Sequence, residues 1–210
     1  VNSIEEVLTL TRLGLKRSKE LGKNRVTGRG DLSSDASQVP AYLDTVDELR
    51  AAVEEAKKRG ATSCAHAHGA SGIKNAVEAG VDSIEHGYYL DEEGIEMMLA
   101  RGTVLVATSA AVRNVAAKGV EHGLLEDVHR KASEAVESHI ETFAQAYKAG
   151  VKLAMGTDSG VPFTHHGNNL DELGYLVEMG LSPMEAIQAA TLESAKLLQL
   201  GDRLGSLQAG

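Results

Sequence analysis

The sequence has no tryptophan, one cysteine, and no apolar run that approaches the roughly 20 residues needed to cross a bilayer. No signal-peptide pattern opens the chain, so we expect no contact with a membrane. The single cysteine, Cys64, cannot form an internal disulfide bond. Because unpaired cysteines are typical of reducing compartments, we predict a cytoplasmic protein.

Positive charge is also scarce. The 210 residues contain 21 Lys and Arg against 30 Asp and Glu, a net charge of −9 with neutral histidines. Such a chain repels polyanions on average, so nucleic acid and anionic membranes are poor partners and a small substrate is favoured. A hydrophobic fraction of 42% at this length suffices to fold one core.

A repeated pattern of helix, glycine and short β-rich run begins near residue 45. Glycine just after a helix takes the left-handed conformation that ends the last turn, so each such junction predicts a strand start. The predicted strands are 61–67, 81–86, 103–108 and 151–157. The predicted helices are 46–59, 71–79, 91–101, 123–149, 169–179, 183–190 and 192–199, with a loop over 109–122. This alternation predicts an α/β fold with a parallel sheet.

Two parallel architectures fit this pattern, the open doubly wound sheet and the closed (β/α)8 barrel. No GxGxxG or GxxxxGK[ST] motif follows a strand, which disfavours the doubly wound nucleotide binder. Polar residues instead stand at the carboxyl ends of the strands, where a barrel places its active site, namely His66, His86, Thr108 and Asp158. Four of the eight barrel strands are evident. We therefore predict a partial (β/α)8 TIM-type barrel over 43–210, preceded by a segment over 1–42 with one helix (3–21) and a polar loop.

The candidate site begins with two histidines at the end of the first strand. Strand alternation places His66 and His68 on one face. In the next strand the same rule groups His86 with Ile84 and turns Glu85 to the opposite face. Imidazole and carboxylate are common ligands of Zn²⁺. An isolated histidine is more often a core residue than a ligand, and His66 with His68 also fits an HxH metal pair, so both alternatives stay open.

Three stretches carry a family resemblance: AHAHGASGIKNAVEAGVDSIEHG, GVKLAMGTDSG and HHGNNLDELGYLVEMGLSPMEAIQAATLESAKLLQLGDRLGSLQAG. They resemble the amidohydrolase superfamily, and more narrowly its imidazolonepropionase-like branch, which includes Xaa-Pro dipeptidases. The likeness covers residues 43 to 210. It implies barrel strands five to eight and a metal-dependent hydrolase of amide bonds.

The resemblance also implies residue roles. His66 and His86 become the metal ligands of strands five and six, and Asp158 becomes both a metal ligand and the general base. Lys23 is the nearest match to the fourth-strand lysine that bridges two metals in this family. The implied substrate-binding residues are His68, Tyr88 and His166. The implied cofactor is one or two divalent ions, zinc by expectation.

The implied substrate is a small peptide or an N-acyl amino acid, cleaved as by a dipeptidase or a carboxypeptidase-like enzyme. The family also carries an HxH pair on its first barrel strand, and the region that aligns here has no such strand. An alternative is therefore a truncated, non-catalytic half-barrel that persists by self-association, because open strand edges drive pairing. We also expect a homo-oligomer. His122, His129 and His139 lie among acidic neighbours and are predicted to be solvated.

Overall fold

Four short parallel strands alternate with helices in the computed structural model, which describes residues 45–119 and 121–208. In chain order the elements are α1 (Val46–Lys58), β1 (Cys64–Ala67), α2 (Ala70–Ala79), β2 (Ser83–His86), α3 (Glu92–Arg101), β3 (Val104–Val106), α4 (Ser109–Lys118), α5 (Glu126–Ala149), β4 (Leu153–Ala154), α6 (Asp171–Glu178), α7 (Pro183–Gln188), a π-helical turn (Ala189–Glu193) and α8 (Ser194–Leu197). The α/β class and all four predicted strand positions are confirmed.

Local sequence signals set the helix ends. The Thr45 hydroxyl accepts a hydrogen bond from the Glu48 amide, and the Glu48 carboxylate accepts one from the Thr45 amide, so α1 opens with a capping box. Ser182 and Glu185 repeat this arrangement at α7. Gly80 ends α2 with a φ of 92°, a left-handed conformation that glycine adopts without steric cost.

The sheet has the order β1-β2-β3-β4 and one register throughout. Ala65, Ile84, Leu105 and Leu153 form a row across it. The last three belong to the main hydrophobic core, and Ala65 packs against it. The helices contribute Val77, Met98, Phe143 and Leu176, among others, to the same core. The next row is His66, Glu85, Val106 and Ala154. Because side chains alternate between faces, this second row points away from that core.

The predicted loop over 109–122 is wrong. Residues 109–118 form α4, and α5 begins at Glu126 rather than at residue 123. The stretch SAAVRNVAAK is rich in alanine, the best helix former. Its helix start escaped prediction because the capping group is not local: the Glu172 carboxylate accepts hydrogen bonds from the backbone amides of Ser109 and Ala110.

The predicted helix over 3–21 and Lys23 lie outside the described residues. Within 45–119 and 121–208, no helix is both long enough and apolar enough to span a membrane. Among these described strands the sheet is open, with β1 and β4 at its two edges.

Candidate metal centre

Two imidazoles meet at the carboxyl ends of β1 and β2. His66 Nδ1 lies 2.8 Å from His86 Nε2, and the ring centroids are 5.0 Å apart. His66 is exposed, whereas His86 is 5% exposed. The structure therefore brings the two predicted histidine ligands together.

The contact between His66 and His86 is not explained by the regular alternation of side chains along a strand. The register pairs His66 with Glu85, and Ala67 with His86. A φ of 79° at His86 ends the regular strand and directs its ring toward His66. The prediction that Glu85 lies on the opposite face from the site is therefore wrong, because it assumed extended backbone through residue 86.

Glu85 is a site residue that strand alternation missed. The Ser83 hydroxyl donates to its carboxylate at 2.7 Å. Burial raises the pKa of Glu85; the Ser83 hydrogen bond and the nearby His66 oppose that rise, and Asp158 adds to it. Residues paired across parallel strands share a face of the sheet, and Glu85 is paired with His66. A correct prediction of this pairing would have placed Glu85 at the site.

Asp158 follows β4 in a tight turn and has a φ of 53°. Burial is the main cause that raises the pKa of Glu85 and of Tyr88, and the nearby charge of Asp158 adds to both rises, so Asp158 lies close to the same region. Among residues 45–119 and 121–208, no three His, Cys, Asp or Glu side chains form a group that could hold a metal. The convergence of His66 and His86 is observed, and Asp158 as third ligand stays a prediction.

The three predicted substrate-binding residues have different surroundings. The His68 ring lies edge-on to His86, with centroids 4.5 Å apart. His166 is exposed, and a Cβ built on Gly160 would lie 3.7 Å from its Nε2, so the imidazole packs over the turn that carries Asp158. Tyr88 is 3% exposed and packs against His68, which leaves it little surface for a substrate.

The buried imidazole of His86 is kept neutral. Burial, together with the neighbouring His68, His66 and His139, lowers the pKa of His86 to about 2. A neutral imidazole is the form that binds a metal ion. The donor set of the site, imidazole nitrogen with carboxylates nearby, is therefore chemically suited to a divalent metal such as zinc.

A buried polar cluster lies behind the site. His139, predicted to be solvated, is 1% exposed, and its Nε2 lies 2.9 Å from the Ser109 hydroxyl. The prediction was wrong because α5 is amphipathic and His139 falls on its core face with Ala135 and Phe143. Burial lowers the pKa of His139 to about 3.

A cavity of about 330 Å³ lies at the other end of the sheet. Its lining includes Thr62, Val81, Asp82 and Thr103, which precede the strands, together with Lys57. Since active sites of parallel barrels lie at the carboxyl ends of the strands, we do not assign this cavity to the site.

Comparison with known proteins identifies the family of this chain. The sequence model of the amidohydrolase family matches residues 28–210. The chain belongs to the amidohydrolase family. Ochratoxinase from Aspergillus niger is 36% identical over 191 residues, which cover 90% of this chain and 38% of that protein. Imidazolonepropionase from Rhizobium rhizogenes is 31% identical over 176 residues, which cover 79% of this chain and 37% of that protein.

Solved structures include a Xaa-Pro dipeptidase with methionine bound in its active site. This amidohydrolase chain is 46% identical to it with a TM-score of 0.73, over 79% of this chain and 41% of that one. The structural neighbours are TIM-barrel amidohydrolases, which confirms the predicted partial barrel. The chain spans about two fifths of the length of these relatives.

Proposed function

We propose that this chain supplies ligands and a general base to the active site of a metal-dependent hydrolase that cleaves the amide bond of a dipeptide or an N-acyl amino acid. The observation that carries the proposal is the 2.8 Å approach of His66 Nδ1 to His86 Nε2 at the carboxyl ends of adjacent strands. Family membership and the dipeptidase and ochratoxinase relatives support the same reaction class.

The donor chemistry of His66, His86 and Asp158 suits one divalent ion, zinc by preference. The His66 and His86 imidazoles and the Asp158 carboxylate would hold it. Three protein ligands with a fourth position left for water or substrate are typical of catalytic zinc sites. When bound, such an ion polarises the scissile carbonyl and lowers the pKa of water. Lys23 as a ligand of a second ion is likewise a proposal.

Asp158 carries the proton in the proposed reaction. Its carboxylate takes a proton from the attacking water as the carbon–oxygen bond forms, and then delivers that proton to the amide nitrogen as the carbon–nitrogen bond breaks. Asp158 lies in a turn after β4 and has left-handed backbone there, with a φ of 53°. Glu85, nearby, adds negative charge that favours a cation in the site.

His68 and His166 are the proposed contacts for the substrate. His68 lies beside His86, and the exposed His166 lies near Gly160, in the turn that follows Asp158. The loop that carries His166 is joined to α4 by a 3.2 Å hydrogen bond from Asn114 Nδ2 to Thr164 Oγ1. We propose that α4 and this loop together set the substrate preference. Self-association and a cytoplasmic location remain predictions.

Release of free amino acid from two probes, the dipeptide Met-Pro and N-acetylmethionine, tests the proposal on the zinc-loaded 210-residue chain. We expect hydrolysis of at least one probe, and at least about a 100-fold loss of rate in Asp158→Asn. His129→Asn, a change on the outer helix α5, should keep the parent rate. A folded, zinc-bound chain that cleaves neither probe would overturn the proposal.

A further inference from the structure

The hydrogen bonds of the Thr108 hydroxyl determine how His86 presents its imidazole. Thr108 Oγ1 lies 2.7 Å from the Ala107 carbonyl oxygen and 2.7 Å from His86 Nδ1. A carbonyl oxygen can only accept, so the single hydroxyl proton goes to Ala107. The hydroxyl oxygen must then accept a proton from His86, which places that proton on Nδ1 and leaves a lone pair on Nε2.

The ring of Tyr88 lies beside this arrangement, with its centroid 5.5 Å from that of His86. A hydroxyl has one proton to donate and two lone pairs to accept with. With Ala107 as acceptor and His86 as donor, the one proton of the Thr108 hydroxyl is used. Thr108 and Tyr88 are both 3% exposed, so water competes little for these bonds.

The backbone of Thr108 is held in an unfavourable conformation to reach this position. Its φ and ψ are 52° and 38°, in the left-handed region, which β-branched residues rarely adopt. Strain of this kind is found mostly at functional sites, where the surrounding structure maintains it. Glycine or asparagine would relieve the strain but would not place a hydroxyl beside His86.

Buried hydrogen bonds to the two residues that follow Thr108 hold it in place. The Glu172 carboxylate accepts from the Ser109 and Ala110 amides, both at 2.7 Å, and the Ser109 hydroxyl lies 2.9 Å from His139 Nε2. Ser109, His139 and Glu172 are at most 1% exposed. The start of α4 is thus fixed by two separate elements, α5 and α6, which leaves Thr108 little freedom to turn away.

We propose that Thr108 is a positioning residue: its hydroxyl fixes the tautomer and direction of His86 so that the Nε2 lone pair is presented toward His66 and the metal. The inference rests on the proposed metal site. Groups that hold the second nitrogen of a ligating histidine change metal affinity by about 10-fold to 100-fold when removed. Here that group is a hydroxyl that follows the next strand, β3, at the start of α4.

Nitrogen-15 NMR of the metal-free 210-residue chain tests the tautomer without any activity assay. We expect protonated Nδ1 and unprotonated Nε2 at His86 in the parent chain. Since His66 Nδ1 also hydrogen-bonds His86 Nε2, a His66→Ala chain isolates the effect of Thr108. The tautomer should persist in that variant and become mixed when Thr108→Val is added. A proton on Nε2 in the parent chain would overturn the proposal.

Zinc affinity, measured by competition with a chromophoric chelator, provides the second readout. Thr108→Val keeps the branched shape and removes the hydroxyl, and it should weaken zinc binding by about 10-fold or more. Thr108→Ser restores the hydroxyl and should bind within about threefold of the parent. Parent-like zinc affinity and tautomer in Thr108→Val would overturn the proposal. A parent chain that binds no zinc would contradict the proposed function, while the NMR result would still decide the role of Thr108.

Discussion

His66 and His86 lie 20 residues apart in the chain, yet 2.8 Å separates His66 Nδ1 from His86 Nε2. One strand–helix–strand unit, β1 to β2, creates this contact, because the register sets Ala67 beside His86. The left-handed backbone at His86 then turns the ring toward His66. The approach of these two histidines thus begins within residues 64–86, whereas Asp158, the proposed third ligand, follows the distant strand β4.

Gly156 provides a test of packing on the face of the sheet that carries the site. A Cβ built there would lie 2.7 Å from Val106 Cγ1 and 3.6 Å from Thr108 Cγ2. Gly156→Ala should therefore overpack this face and lower the free energy of unfolding by about 1–3 kcal/mol. Urea denaturation followed by circular dichroism would measure the change.

The matched control for that substitution is Gly174→Ala. Gly174 is exposed in the middle of α6, and a Cβ there would meet nothing within 4 Å. Alanine is favoured over glycine in a helix interior by roughly 0.5–1 kcal/mol, so this variant should be more stable than the parent. Equal effects of the two substitutions would contradict the packing described for β3 and β4.

Glu172 predicts a specific dependence of stability on pH. Burial raises its pKa to about 7 from an ordinary 4.5, although the amides of Ala110 and Ser109 oppose the rise. The folded state then holds this proton more tightly than the unfolded state does. Its contribution to stability is full below pH 4.5 and is lost as the pH rises through 7. At about 1.4 kcal/mol per pKa unit, the loss is roughly 3 kcal/mol.

A comparison with Glu172→Gln isolates this effect, because glutamine does not ionise. The free energy of unfolding of the parent relative to this variant should fall between pH 5 and pH 8. Asp171→Asn, an exposed change in the same turn of α6, should show no such trend against the parent. A rise over this pH range would mean that the two backbone amides outweigh burial at Glu172.

The position of Glu85 predicts that its charge affects metal affinity although Glu85 is not a proposed ligand. Its carboxylate lies near His66 and Asp158, so its negative charge favours a cation there. Glu85→Gln keeps the shape, removes the charge, and should weaken zinc binding by about tenfold. Glu93→Gln removes an exposed carboxylate that pairs with Lys74 and should leave the affinity unchanged. Equal zinc affinity in both variants would exclude Glu85 from the site.

Periodicity and capping signals were enough to predict most of the fold. Glycines such as Gly80 and Gly150 marked where helices end and strands begin, and the capping boxes at Thr45 and Ser182 marked where two helices start. These signals act over a few residues, so sequence shows them directly. The start of α4 was missed because its cap, Glu172, lies 63 residues from Ser109.

The site was predictable only in part for a related reason. Motifs located His66, His86 and Asp158, but alternation placed Glu85 on the wrong face because it assumed regular backbone through His86. Neither the left-handed φ at His86 nor the one at Thr108 has a signature in the sequence, since both residues are non-glycine. The burial of His139 depends on which face of α5 packs against the core. The charged residues beside His139 in the sequence favoured the wrong prediction that it is exposed.

Zinc titration of the metal-free 210-residue chain, with metal counted per chain, tests the central claim most directly. The claim is that His66, His86 and Asp158 hold one divalent ion together. We predict one tightly bound zinc per chain in the parent and in the exposed-surface control His122→Asn, and loss of tight binding in His66→Asn, His86→Asn and Asp158→Asn alike. Absence of zinc from the parent chain, or retention of tight binding in those three variants, would contradict the account.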